Sequence, residues 1–217
     1  MQTDTAHRRL RELILDGTYQ PGARLTELDV AAQLEMSRTP VREALHALAA
    51  DGLVQPSGRG VTVVELAPEE LQDAYQVRAA LEALTAELAA GRQRDGRIAP
   101  ADLRALQEIA DAAAAATSAG RLAEGVGHNR AFHRRIAELS GNAMALQALD
   151  RVWDLIHVST LRSLRQTARA AHVSGQHDKL LAAIVEGRGA DAGRVAREHV
   201  LDTHAAAGKE DRRPEAV

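Results

Sequence analysis

The chain has 217 residues, a formal net charge of −3 and no cysteine. That excludes a disulfide framework and a thiolate metal site, and leaves any attraction for nucleic acid to a local patch. Hydrophobic residues make up 45% of the sequence, enough to bury a core, but aromatics only 2%, so aliphatic side chains must fill that core and helix-on-helix packing is favoured. No run of about 18 apolar residues and no signal-peptide segment is present, so a cytoplasmic protein without a membrane partner is expected.

In chain order, residues 5–16 form a short amphipathic helix with Leu10, Leu13 and Ile14 on its apolar side. Gly17, Pro21 and Gly22 break it. A second helix runs from Thr26, a suitable N-cap, to Leu34, and a third from Ser37 or Thr39 to about Asp51. Leu53-Val54 and Val61–Val64 flank Ser57-Gly58-Arg59-Gly60 and read as a small β-hairpin. The texture changes at Ala67-Pro68. Pro68 suits a first helical turn, where Glu69 and Glu70 complement the helix dipole, and a long helix follows. Further helical patterns cover 100–118, 121–139, 143–168, 170–187 and 190–207, and no strand pattern appears after Leu66. The expected fold class is therefore mainly α. It comprises a small N-terminal domain over 1–67, an all-α helical bundle over 68–209, and a disordered tail over 210–217.

The third helix has two distinct faces. Val41, Leu45 and Leu48 recur at i, i+4 and i+7 as an apolar face, while Arg38, Arg42 and His46 recur at i, i+4 and i+8 as a cationic one. Ser37 or Thr39 can cap the helix, and Pro40 is tolerated in a first turn. The helix thus offers its N-terminus, two hydroxyls and two guanidiniums in one direction. That suits a DNA major groove, where amides and hydroxyls take phosphates and arginine forks pair with guanine. An ordinary solvated helix face carries the same pattern. The hairpin tipped by Gly58-Arg59-Gly60, placed to act as a wing, favours the DNA reading.

In the second domain His133, His177 and His199 fall on three separate predicted helices, and Asn129 lies one turn before His133 on the same face. Neutral imidazoles are common metal ligands and three from a bundle can converge on one ion; hydrogen-bonded interior histidines give the same pattern.

Residues 7–64 closely resemble the winged helix-turn-helix domain of GntR-family bacterial transcription regulators, most specifically in "PG-x-x-L-x-E" and "SRTPVREAL…L…DGLV". The resemblance implies a double-stranded DNA operator as partner, contacted by Ser37, Arg38, Thr39, Arg42 and the wing residues Arg59 and Gly60, with His46 on the same face. Two positions depart from the family: Glu35 stands where the turn usually has Gly, and Leu28 where some relatives carry a DNA-contacting Arg. Segments 78–90, 129–142 and 177–199 resemble the ligand-sensing C-terminal FCD domain of the FadR-type subgroup. That domain is a helical bundle in which many members hold a divalent metal through an Asp and three His. The implied ligand set is Asn129, His133, His177 and His199, with Asn in place of the usual Asp, and Zn²⁺ as the first candidate ahead of Ni²⁺ or Mn²⁺. His128 points about 100° away from its neighbour and is expected to face solvent.

Such a site would leave coordination positions open for a small organic acid. Arg78, which interrupts the apolar face of the long helix, is the first candidate to pair with that acid and Arg162 the second, against the more ordinary reading of both as surface or interhelical salt bridges; His157 and Trp153 would line the pocket, though core packing explains Trp153 equally well. The whole then reads as a ligand-responsive regulator, a repressor by the commonest behaviour of the family, acting as a homodimer on a pseudo-palindromic operator. The alternative is a metal-dependent hydrolase built on the bundle. No H-E-x-x-H or G-x-S-x-G motif supports it, and the one Glu-x-x-His, Glu43 to His46, lies on the DNA helix without a second copy. A pure interaction module leaves the turn and the wing without a purpose.

Overall fold

The computed structural model describes residues 2–164 and 174–210. The chain divides into two compact units, one formed by Met1–Leu71 with Trp153–Arg165 and the other by Gln72–Val152 with Gln166–Val217. Among the described residues no helix is long and apolar enough to cross a membrane.

The first unit contains α1 (Gln2–Leu15), β1 (Arg24–Thr26), α2 (Glu27–Leu34), α3 (Arg38–Ala50), β2 (Val54–Ser57) and β3 (Gly60–Val63). Ala6, Leu10 and Ile14, spaced at four residues on α1, share one core with Val41, Ala44, Leu45 and Leu48 of α3. Each aliphatic side chain of leucine size buried there contributes about 1.5–3 kcal/mol. Thr26 starts α2 with an extended backbone, and its hydroxyl accepts from the Asp29 N–H at 3.2 Å, which satisfies one of the orphan donors of the first turn. The helix ends on Glu35, whose φ of 54° is the one left-handed non-glycine backbone among the described residues. Ser37 then leads into α3 in an extended conformation without using its hydroxyl as a cap.

The wing is a three-stranded antiparallel sheet in the order β1-β3-β2, where the sequence predicted only the β2–β3 hairpin. Strand β1 escaped notice because it is three residues long and buries only Leu25, so no alternation is legible. Leu25 pairs with Val61 and Thr26 with Gly60. A Cβ at Gly60 would lie 2.2 Å from the Leu25 carbonyl oxygen, so a glycine is needed there for β1 to approach at all.

The second unit is helical: most of α4 (Pro68–Arg94), then α5 (Pro100–Ser118), α6 (Leu122–Leu139), the first part of α7 (Ala143–Leu164), α8 (Ser174–Val185) and α9 (Gly189–Glu210). Its core is rich in small residues, with Ala86, Ala89 and Ala90 of α4 packed with Phe132 of α6, Ile184 of α8 and Ala196 of α9. Small side chains let the helices approach closely. At Gly193 a Cβ would meet the Ala83 carbonyl oxygen at 3.2 Å, so α9 passes directly over α4. The expected break near residue 169 lies outside the described residues, and so does the tail expected over 210–217 except for Glu210, which ends α9.

The second half of α7 joins the first unit, which the sequence-drawn line between 67 and 68 does not convey. Val158 enters the winged core. Asp154, 5% exposed, accepts from Arg11 of α1 at 2.8 Å, and the Ser159 hydroxyl accepts from the Leu66 N–H at 3.3 Å. Periodicity reveals that a helix has a buried side but not which core that side meets.

Glu35 supplies a prediction. A left-handed conformation costs a residue with a Cβ roughly 1–2 kcal/mol, partly offset by the extra freedom that glycine loses on folding. Glu35→Gly should therefore stabilise the first unit by about 0.5–1 kcal/mol. Urea unfolding monitored on that unit checks it; a lower midpoint would mean that the Glu35 side chain contributes a favourable contact.

Candidate functional site

On the first unit, α3 turns Arg38, Thr39, Arg42 and His46 to solvent and keeps Pro40, Val41, Leu45 and Leu48 buried. Ser37 is exposed beside them. Arg38 donates to Glu27 at 3.1 Å across to the first turn of α2. An exposed pair of this kind is worth little, so a phosphate or base can replace Glu27 as partner. Among the described residues nothing pairs with Arg42, His46 or Arg59. Leu28, where a charged contact would reach out from α2, is 67% exposed.

The wing adds a cation that the sequence reading missed. Arg24 of β1 is exposed, and its Nη2 lies 3.1 Å from where a Cβ on Gly58 would stand. Gly58 (φ +58°) and Arg59 form the two-residue turn between Ser57 and Gly60. Arg24 and Arg59 thus place two guanidiniums at the wing. Only the strand that pairs β1 with β3 reveals this, and that strand has no sequence signal.

The second unit holds the histidine cluster. His133 (α6), His177 (α8) and His199 (α9) are 2%, 2% and 1% exposed, and one ligand atom from each lies within 4.8 Å of the others. The His133 and His199 rings stack at 4.7 Å. The single phenylalanine of the chain, Phe132, packs on His177 at 4.4 Å between ring centres. The Nε2 atoms of all three histidines are buried without a hydrogen-bond partner, and so is Oδ1 of Asn129. Buried polar atoms in this condition are uncommon and call for an explanation. Three imidazole nitrogens that converge in this way are a donor set of the kind that suits a borderline divalent cation.

The partners of the other ring nitrogens are specific. His133 Nδ1 is 2.8 Å from Glu82 of α4, and His199 Nδ1 is 2.9 Å from the Gln176 side-chain oxygen. Arg78, also buried, donates to the other Glu82 oxygen at 2.6 Å. Burial alone would raise the Glu82 carboxyl, but Arg78 and His133 hold it well below the usual carboxylate range. Burial, reinforced by His133, lowers His177 to about 3. The same two causes, with His177 added, take His199 well below the ordinary histidine value. Both rings are therefore neutral near pH 7, as ligation requires.

The expected residues separate accordingly. Asn129, His133, His177 and His199 all present unpartnered atoms, and Arg78 is linked to them through Glu82. His128 is half-buried and is not one of the clustered histidines. His157 does not join it: its Nε2 is 3.0 Å from the Leu15 carbonyl oxygen of α1, because that half of α7 packs into the winged unit. Trp153 is buried there too. The Arg162 side chain lies outside the described residues. Glu82 and Gln176 were not anticipated. The i, i+4 pair Arg78–Glu82 on the apolar side of α4 was a legible signal for Glu82; nothing marks Gln176.

A winged unit with an exposed cationic helix, carried on the same chain as a helical unit with buried histidines, is the architecture of a DNA-binding transcription regulator. The chain belongs to the GntR family: residues 2–64 match the bacterial regulatory proteins of the gntR family and residues 73–202 match the FCD domain. It is 30% identical over 204 residues to the HTH-type transcriptional repressor GlaR of Escherichia coli (strain K12), covering 90% of each chain. It is 28% identical over 196 residues to the HTH-type transcriptional regulator YdhC of Bacillus subtilis (strain 168), covering 90% of this chain and 84% of the relative. Its fold is similar to that of E. coli McbR/YncC, with a TM-score of 0.80, 24% identity and coverage of 98% and 99% of the two chains. The family and these relatives are regulators, and the hydrolase alternative is set aside.

Two arginines provide the test of the DNA face, on an operator selected from a random duplex library. Arg42→Ala should cost about 1–3 kcal/mol on that operator and relax specificity at one position. Arg24→Ala should weaken selected and unrelated duplexes alike and reduce the salt slope by about 1. A salt slope that Arg24→Ala leaves unchanged would remove the β1 contact.

Proposed function

We propose that the chain is a repressor that binds a pseudo-palindromic operator as a homodimer and senses a small organic acid through a divalent metal in the helical unit. The observation that carries the reading is the set of four buried, unpartnered donor atoms on Asn129, His133, His177 and His199. Zn²⁺ is the first candidate, with Ni²⁺ or Mn²⁺ as alternatives. The bound cation would supply a Lewis-acidic anchor for a carboxylate. Arg78, with its Nε committed to Glu82, would offer its remaining donors to the same acid. The description of GlaR as a repressor supports repression as the sign of control.

The homodimer is supported by α4. Val77, Leu84 and Leu88 are 50%, 41% and 37% exposed, and half-buried Leu81 completes their stripe. The spacing is i, i+4, i+7, i+11, the seam of a two-helix contact. The first turn of α4 carries Glu69 and Glu70 and its last turn Arg92 and Arg94. An antiparallel pairing of two copies about a two-fold axis near Leu81 and Leu84 would set acidic end against basic end. Leu84→Asp should therefore yield a monomer in sedimentation with weakened operator binding; a dimer of unchanged strength would move the interface elsewhere.

Metal analysis and melting curves test the sensor. Purified protein should carry one divalent ion per chain, and chelation should lower the melting temperature of the helical unit. Readdition of Zn²⁺ to a hundredfold excess over its Kd should restore about 2.7 kcal/mol. Asn129→Asp should tighten binding by adding a charged oxygen, and a panel of small carboxylates should shift the melt only when metal is present. Protein that contains no ion and whose melt ignores both Zn²⁺ and Ni²⁺ would reduce the site to a histidine-lined cluster.

A further inference from the structure

The three rings of the cluster are not equivalent in what holds them. His199 leans on a neutral partner, because Gln176 presents its side-chain oxygen to Nδ1 at 2.9 Å and turns its amide nitrogen to Asp202 at 2.7 Å. His133 leans on a carboxylate. Its Nδ1 is 2.8 Å from Glu82, and both side chains are 2% exposed. The other carboxylate oxygen accepts from Arg78 Nε at 2.6 Å, so Glu82 is anchored by Arg78 with its remaining oxygen against the His133 ring. The Glu82 oxygen facing the ring has no fully formed hydrogen bond, so the contact is a close approach; because an ionised carboxylate can only accept, a bond between the two has the His133 ring donating from Nδ1. In a neutral ring this leaves the lone pair on Nε2, the atom that is buried without a partner beside the other two histidines. Glu82 comes from α4, which supplies none of the three histidines. The fourth residue of the proposed donor set, Asn129, brings no formal charge, where an Asp would.

We propose that Glu82 is a positioning residue that fixes His133 in its Nδ1–H tautomer and lends a negative charge, one hydrogen bond removed, to an all-neutral ligand set. Arg78 keeps the carboxylate in place while sharing it. The charge part rests on the metal reading above; the tautomer part rests on the Glu82–His133 geometry alone. A ring polarised by a carboxylate is a stronger donor than one polarised by an amide, and loss of such an outer partner typically weakens metal binding by roughly 10–100-fold.

The test uses the full chain, with Zn²⁺ affinity measured by chelator competition at fixed pH and histidine ring nitrogens followed by ¹⁵N–¹H correlation in metal-free protein. Wild-type protein should show His133 protonated on Nδ1. Glu82→Gln keeps the shape and removes the charge, and should weaken Zn²⁺ by roughly 10–100-fold. Gln176→Ala should weaken it less, because it removes a neutral partner. The tautomer measurement needs no variant, so the proposal stays open to test even if Glu82→Gln folds poorly. His133 protonated on Nε2 in the wild type would overturn it, as would Zn²⁺ bound equally well by Glu82→Gln. An equal loss in Gln176→Ala would overturn the charge argument. Wild-type protein that takes up no Zn²⁺ yet shows the Nδ1–H form would overturn the metal reading and leave the tautomer assignment standing.

Discussion

A polar atom inside a protein must find a partner or impose a cost of about 1–3 kcal/mol. Much of the helical unit is organised around that constraint. Small residues bring α4 and α9 into close contact, and three helices deliver an imidazole each to one place. The Nδ1 atom of His199 is satisfied by Gln176, and that of His133 lies 2.8 Å from the Glu82 carboxylate. The Nε2 atoms are not satisfied. A site built only for packing would use aliphatic side chains of similar volume, as the neighbouring core does. The unsatisfied atoms therefore set this cluster apart from the aliphatic core beside it, and burial that keeps His177 and His199 neutral maintains them as acceptors.

The same contrast explains which features the sequence made legible. The α3 surface could be read because Val41, Leu45 and Leu48 are separated from Arg38, Arg42 and His46 by helical periodicity alone. The six helices of the second part were legible for the same reason, as runs bounded by glycine and proline. Strand β1 was not, because three residues give no period and its pairing partner Val61 lies far along the chain. The convergence of the histidines could be expected from the family resemblance, but spacing along a sequence carries no distance in space. Glu82 was missed for a further reason. A charged residue within an apolar pattern draws attention to itself, yet its partner His133 sits on another helix.

His157 and Arg78 show how one residue type can belong to different contexts. Both looked suitable for an acid-binding pocket. Arg78 lies one carboxylate away from the cluster. His157 instead meets a backbone carbonyl at the end of α1. The difference arises along α7, whose first part packs with the bundle and whose last part packs with the winged unit.

That division of α7 bears on how such a chain can be taken apart. The winged unit has a core that includes Val158 and a buried acid, Asp154, that neutralises Arg11, and both come from a stretch encoded well downstream of the wing, which ends at Val63. The DNA-reading part is thus not a portable cassette. Grafting residues 1–71 onto a foreign sensor would leave an apolar hole and an unmatched guanidinium on α1. A chimera that is to keep this winged unit intact must break the chain twice and carry 153–165 along, or repack the surface that those residues cover.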